Sequence, residues 1–370
     1  MDTIRKLIEL SRYYGSDSAY VIAGGGNTSF KNDERIWIKA SGIPLAGIEE
    51  SGFVSLSREK LGKIERDTYS EDAVLREEQV KRDMQQAILS PEHLRPSVET
   101  SLHNLIDYAY VVHTHPTLVN GLMCSTNVEK EVDARFGKDA LYVEYTDPGY
   151  ILFKKLQERI AIYREQHGKA PAIIFLQNHG VFVASDGVDE IHALYESINR
   201  RIGRGIDTSL PACDTKVYDS RISRILEINF ASRGLISRAF RCELIDHFVE
   251  SRKKYQKIAR PFSPDIIVYC KSNYLFMEAD WDADQLRIAC EQFEEAHGYV
   301  PRLIIEERGG LIVVEEDEKS LQTALEVYTD QMKISYLSEN FGGPHFMSPE
   351  QIRFIDNWEV EHYRRKVAKS

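Results

Sequence analysis

The apolar positions of residues 2 to 14 fall at helical spacing, with Ile4, Leu7, Ile8 and Leu10 on one face and Gly15 as a stop. Two short alternating stretches, Arg35 to Lys39 and Gly52 to Leu56, predict strands. The charged stretch from Glu71 to Leu89 reads as a helix that gathers Val74, Leu75, Val80, Met84, Ala87 and Ile88 on a broad face. Pro96 breaks the chain, and Glu99 to Ile106 reads as a short helix. Tyr108 to His115 follows as a strand closed by Pro116, and a new helix starts near Thr117. Asp147-Pro148-Gly149 is a turn signal ahead of a helix through Leu152, Leu156, Ile160 and Ile162. Ala172 to Leu176 and Val181 to Ala184 are strands around Gln177-Asn178-His179-Gly180, and a helix spans Val188 to Ile202. Strands and helices mixed over roughly 200 residues predict an α/β domain on one central sheet.

Between Gly203 and Asp219 the pattern loosens, which places a boundary between domains of residues 1–210 and 211–370. In the second part, Ser223 to Tyr255 reads as helical. Asp265 to Cys270 and Tyr274 to Glu278 read as a strand pair around Lys271-Ser272-Asn273, followed by a helix from Ala283 to His297. Arg302 to Glu306 and Leu311 to Glu315 form a second pair around Gly309-Gly310, with a long helix through Tyr336. The expected architecture is β-β-α repeated once, a small α+β domain without an evident chemical motif.

A chain of 370 residues has room for these two domains. Hydrophobic content of 42% with 28% charged residues is that of a globular, soluble protein. The longest apolar runs, Ile173 to Leu176 and Leu311 to Val314, are too short to cross a bilayer. The first residues mix both charge signs and read as an amphipathic helix rather than a signal peptide. The 5 cysteines are scattered and never form C-x-x-C, which argues against a disulfide framework or thiolate zinc site and suits a reducing cytosol. A net charge of −11 with no basic stripe excludes a nucleic-acid role. A phosphorylated small molecule stays compatible, because a few backbone N–H groups and one lysine can hold a phosphate.

Candidate chemistry concentrates in five places. His113 and His115 stand at i and i+2 on the predicted strand, so both imidazoles project from one face and can meet one ion. Alone, the pair reads equally well as two buried histidines at a strand end. His179 sits in the turn before Gly180, a residue able to adopt positive φ, and reads by itself as a surface hairpin histidine. Glu99 can be a fourth ligand or a general base, or merely an acid in the first turn of a helix, with His103 one turn on. Ser97 is a ligand contact or an N-cap. Gly24-Gly25-Gly26-Asn27-Thr28-Ser29 and Lys39-Ala40-Ser41-Gly42 are loops that can present N–H groups to an anion, although neither is a dinucleotide or Walker-type loop.

Taken in order, these pieces resemble the class II aldolase/adducin family. The matching stretches are Gly-Gly-Gly-Asn27-Thr28-Ser29, Lys39-Ala-Ser41-Gly42, Pro96-Ser97-Val-Glu99-Thr, His113-Thr-His115-Pro, Tyr145-Thr-Asp-Pro148-Gly149 and Asn178-His179-Gly180, over about residues 15 to 205. The resemblance implies an α/β/α sandwich around a central β-sheet, followed by the smaller α+β domain. It implies a metal centre of His113, His115 and His179 for zinc or another divalent ion, with Glu99 as acid/base. Asn27, Thr28, Ser41, Gly42 and Ser97 resemble the family's phosphate-binding elements. The spellings look closest to the aldolase half of two-part rhamnulose-phosphate aldolase/alcohol dehydrogenase proteins, and Phe262-Ser-Pro-Asp265 and Gly342-Gly-Pro-His345 are similar to the connecting region there.

Two departures matter. No G-x-G-x-x-G follows a strand, so no NAD chemistry is expected, and Val98 replaces a serine usual in simple fuculose-phosphate aldolases, which weakens the phosphate grip. The reaction implied is carbon–carbon cleavage or formation in a ketose, expected as its phosphate, through a metal-stabilised enediolate. Epimerisation or dehydration of a sugar phosphate uses the same logic. The adducin branch, a binding module, is expected to lose metal ligands that this chain keeps. A cytoplasmic homo-oligomer, a tetramer with sites at subunit interfaces, is the assembly the resemblance implies.

Overall fold

The computed structural model describes residues 2–219 and 221–357, and two compact units divide them. Of the described residues, the first comprises 2–123 and 127–206, the second 124–126, 207–219 and 221–357.

The first unit is built on strands β1 (Asn27–Lys31), β2 (Arg35–Lys39), β3 (Phe53–Ser57), β4 (Ile88–Ser90), β5 (Tyr110–Thr114), β6 (Leu141–Val143), β7 (Ile173–Leu176) and β8 (Gly180–Ser185). They form one 8-stranded sheet in the order β4-β3-β2-β1-β5-β8-β7-β6, antiparallel throughout except for the parallel pair β6–β7. Alternation along the strands sends side chains to two faces. Val111, Ile174, Leu176, Phe182 and Ala184 join one core with Leu61, Met84, Leu102, Phe153 and Leu156 of the helices Arg58–Arg66, Ala73–Ala87, Thr100–Leu105 and Tyr150–His167. On the other side, helix Asp2–Gly15 packs on β1 while helices Thr117–Met123 and Val188–Gly203 cover β8. This is the α/β/α sandwich expected from the sequence.

One expectation changes here. The glycine-rich stretch gives way to strand at Asn27, not after Ser29. Asn27, Ser29 and Lys31 therefore share one face, and Thr28 points to the other.

The second unit has strands β9 (Lys216–Tyr218), β10 (Ile236–Arg241), β11 (Leu275–Met277), β12 (Leu303–Glu306) and β13 (Gly310–Glu315), ordered β11-β12-β13-β10-β9. Two readings of the sequence are corrected. The stretch Ser223 to Tyr255 is not one helix, because β10 lies within it, bonded to β9 and β13 on its two sides. A left-handed Gly234 (φ +71°) helps end the preceding helix Arg221–Ala231 and release the chain into that strand. Asp265 to Cys270 belongs to helix Pro264–Cys270, not to a strand. Pro264 occupies a first-turn position, where its missing N–H costs nothing, and the helix is buried on nearly all sides. A short apolar run buried all round carries no period that separates helix from strand. The pattern β-β-α therefore occurs once, in β12, β13 and helix Glu318–Ser338.

The second sheet also repeats five strands of the first. The order β6-β7-β8-β5-β1 matches β11-β12-β13-β10-β9, and each pair keeps its sense: parallel for β6–β7 and β11–β12, antiparallel elsewhere. Registers coincide, with His113 opposite Phe182 as Ala239 is opposite Ile312, and Leu176 opposite Gly180 as Glu306 is opposite Gly310. Bonds outside the ladders recur as well. Ala184 N–H donates to the Ala172 carbonyl at 2.9 Å, as Val314 does to Arg302 at 2.9 Å. Asn178 N–H donates to Met123 at the end of helix Thr117–Met123, and Arg308 N–H to Val249 at the end of helix Glu243–Val249. The positions equivalent to His113, His115 and His179 are then Ala239, Arg241 and Gly309.

Candidate metal centre and active site

Strand β5 delivers His113 from its fourth residue, and His115 follows one residue past its end. The imidazole of His113 stacks on Phe182 of β8, with ring centres 4.2 Å apart, and is fully buried. Its Nδ1–H donates to the Val181 carbonyl at 3.0 Å, which turns the Nε2 lone pair toward His115. The two Nε2 atoms are 2.9 Å apart.

His179 arrives from the turn between β7 and β8. Its ring centre lies 4.9 Å from that of His113 and 5.0 Å from that of His115. The turn differs from expectation in one detail. Asn178, not Gly180, takes the left-handed conformation (φ +54°). Gly180 is required for another reason: a Cβ there would lie 2.4 Å from the Thr114 carbonyl oxygen. Its bare backbone lets the hairpin close against the end of β5. Asn120 Nδ2–H donates to the His179 carbonyl at 3.2 Å and ties the turn to helix Thr117–Met123.

Glu99 completes the cluster. It stands immediately before helix Thr100–Leu105 rather than inside its first turn, and it is only 9% exposed. Its Oε1 lies 3.4 Å from His113 Nε2 and 3.6 Å from His179 Nε2, and that oxygen is buried without a hydrogen bond. A buried carboxylate oxygen left unsatisfied is costly. A divalent cation held by the neighbouring imidazoles would relieve that cost, and the ligand atoms of His113, His115 and His179 all lie within 4.8 Å of one another, so these residues could hold one.

The orientation of Glu99 is fixed by a chain of donors that the sequence did not disclose. Asn27 Nδ2–H donates to Glu99 Oε2 at 2.5 Å. The Asn27 side-chain oxygen Oδ1 then accepts from His103 Nε2–H, and His103 Nδ1 accepts from the Ser29 hydroxyl at 2.7 Å. This direction requires a neutral His103. Complete burial, aided by neighbouring His113 and Lys31, pushes its pKa well below the ordinary 6.5. The backbone of the same residue is clamped too, because Lys31 Nζ donates to the His103 carbonyl at 2.7 Å. Burial lowers the Lys31 pKa to about 7. The spacing of His103 four residues after Glu99 was the one available hint.

The other expected site residues divide into two groups. Ser41 N–H donates to the Arg95 carbonyl and Ser97 N–H to the Lys39 carbonyl, so the Ser41-Gly42 loop lies alongside the Pro96-Ser97 segment that leads to Glu99. Gly42 is left-handed (φ +84°). Ser97 does not cap the helix; its hydroxyl accepts from Glu99 N–H at 3.3 Å. Thr28 is not brought to the cluster. It is fully buried on the opposite face, with its hydroxyl 2.6 Å from that of Ser11.

The family model described as class II aldolase and adducin N-terminal domain matches residues 5–202. A curated relative, the uncharacterized oxidoreductase YuxG of Bacillus subtilis (strain 168), is 30% identical over 187 residues, 48% of this chain and 26% of that protein. The match thus spans about a quarter of the relative's length. Among solved structures, the N-terminal class II aldolase domain of a conserved protein from Thermoplasma acidophilum is 24% identical, covering 54% of this chain and 91% of that one, with a TM-score of 0.46. An L-fuculose 1-phosphate aldolase is 20% identical over 55% of this chain and 84% of its own, with a TM-score of 0.37. Because the family model takes in more than half of the residues, the chain belongs to the class II aldolase and adducin N-terminal domain family.

Proposed function

We propose that the protein is a zinc-dependent aldolase that cleaves or forms a carbon–carbon bond in a ketose phosphate. The observation that carries this reading is the buried, unpaired Glu99 Oε1 within 3.4 to 3.6 Å of two imidazole nitrogens in a three-histidine cluster. His113, His115 and His179 are the ligands, and three neutral histidines leave a metal open positions for substrate. A divalent ion held there would supply electrophilic stabilisation of negative charge on the substrate oxygens.

Glu99 gives a proton to the enediolate carbon after cleavage and removes it in the reverse direction. Asn27 holds Oε2 and leaves Oε1 facing the histidines, while His103 and Ser29 keep the Asn27 amide from flipping. Ser41, Gly42 and Ser97 line the adjoining loops as substrate-binding elements, and Thr28 anchors β1 through Ser11. Residues 1–210 form the catalytic domain in this reading, in a cytoplasmic homo-oligomer. The role of residues 211–370 is not assigned.

Incubation with rhamnulose, fuculose and ribulose phosphates tests the reading. Release of a triose phosphate, lost on chelation, is the expected result. An epimer or a dehydrated sugar would move the reaction class while keeping the site. No turnover of any of them by metal-loaded protein counts against a sugar-phosphate enzyme.

A further inference from the structure

Away from the histidine cluster, the second unit brings together two cysteines that are 29 residues apart in sequence. The sulfurs of Cys213 and Cys242 are 3.9 Å apart, and both residues are half-buried. Cys242 directly follows β10 and is held in place, since its sulfur accepts the Ile245 N–H at 3.5 Å. Cys213 lies on an irregular segment docked beside it: Leu244 N–H donates to the Ala212 carbonyl at 3.1 Å, and Ala212 N–H to the Glu243 carboxylate at 3.2 Å. Cys124 and Cys270, by contrast, are buried.

We propose that Cys213 and Cys242 form a dithiol site that exchanges with low-molecular-weight disulfides and closes into an intramolecular disulfide. The two are preassembled and partly open to solvent, with sulfurs 3.9 Å apart against the about 2.05 Å of a bond. Their roles differ. The Cys242 S–H donated to Cys213, assisted by Lys333 and Thr329 against burial and Asp330, lowers the Cys213 pKa to about 6. The same bond and burial push Cys242 upward. Cys213 is the attacking thiolate and Cys242 the resolving thiol.

The exchange balances in two steps. The Cys213 thiolate attacks one sulfur of oxidised glutathione, whose S–S bond breaks to release one glutathione thiolate and leave a mixed disulfide on Cys213. Cys242 then gives its proton to solvent and attacks the Cys213 sulfur, expelling the second glutathione thiolate. The protein loses two electrons, and one glutathione disulfide becomes two thiols. The product fastens the segment around Cys213 to the start of helix Glu243–Val249.

The test uses the full chain, reduced and then treated with oxidised glutathione, quenched, alkylated and mapped by peptide mass spectrometry. The expected result is a cross-linked Cys213–Cys242 peptide pair, reversed by dithiothreitol, with Cys124 and Cys270 still alkylatable after denaturation. Cys242→Ser, which keeps a capping side chain, should stop at a glutathionyl group on Cys213; Cys213→Ser should leave Cys242 unmodified. In the reduced protein near neutral pH, Cys213 should alkylate roughly tenfold faster than Cys290. Unchanged alkylation of both thiols, or a glutathionyl group that persists on wild-type Cys213 without the cross-link, overturns the proposal.

Discussion

The turn Gln177-Asn178-His179 in the first unit and the turn Glu307-Arg308-Gly309 in the second share their backbone. Each has a left-handed middle residue (φ +54° at Asn178, +59° at Arg308), followed two residues later by a glycine that presses on the neighbouring strand. A Cβ on Gly180 would meet the Thr114 carbonyl oxygen at 2.4 Å, and one on Gly310 the Phe240 carbonyl oxygen at 2.6 Å. The side chains then diverge. Ala239 offers no ligand atom where His113 stands, and Gly309 none where His179 stands. Arg241, at the position of His115, is a cation paired with Asp246 at 2.9 Å. The hairpin geometry is thus a property of the fold, and a metal centre would depend on three side chains added to it. Among the described residues, the grouping with metal-ligating spacing is His113, His115 and His179.

The largest expected effect is at Glu99, whose neighbouring histidines are replaced at the equivalent positions of the second unit by Ala239, Arg241 and Gly309. Glu99→Gln should retain the ion and lower turnover by roughly 10²- to 10⁴-fold, as loss of a general acid/base does. Steady-state kinetics with metal analysis on the same preparation would decide it, and an equally active variant removes Glu99 from the mechanism.

The paired glycines give the next largest effect. Gly180→Ala and Gly310→Ala should each destabilise by about 1 to 3 kcal/mol, since backbone must shift to admit the methyl group. Only Gly180→Ala should also weaken metal binding, because the same Cβ would lie 2.7 Å from the His115 ring. Equal metal affinity in the two variants would break the claim that this approach positions the ligands.

The smallest effect concerns the neutral donor chain. The unfolded chain takes a proton on His103 near pH 6.5, whereas the folded site resists it to well below that value. Stability from this residue is therefore present above pH 6.5 and lost as pH falls toward the folded pKa, by about 1.4 kcal/mol per pH unit for one proton. In chelator-treated protein, His103→Gln should show a shallower acid dependence in urea unfolding than the wild type. Matching slopes would mean that His103 is not held neutral.

How much of this was legible in the sequence follows from the range of each interaction. Helices Asp2–Gly15 and Ala283–His297 announced themselves through local pattern, the first with Gly15 as a stop. The three histidines were legible as a set only through the ordered family motifs around them, since His113 and His115 share a strand but His179 lies far along the chain and read by itself as a hairpin residue. The Asn27–His103 bond joins residues 76 apart, and the Ser29–His103 bond residues 74 apart, so no local pattern reports them. Thr28 was grouped with Asn27 because a loop was expected where β1 begins, and a loop carries no alternation to separate the two. The resemblance between the units was hidden for a related reason. It resides in strand order and register, while the side chains that carry chemistry differ at each equivalent position.

If the histidine cluster is a metal centre, one divalent ion belongs to the first unit and none to the second. Metal analysis of zinc-loaded, desalted protein measures this directly. The expected result is one ion per chain, lost in His113→Ala and unchanged in Arg241→Ala. Two ions per chain, an ion retained without His113, or a metal-free protein after zinc loading would contradict it.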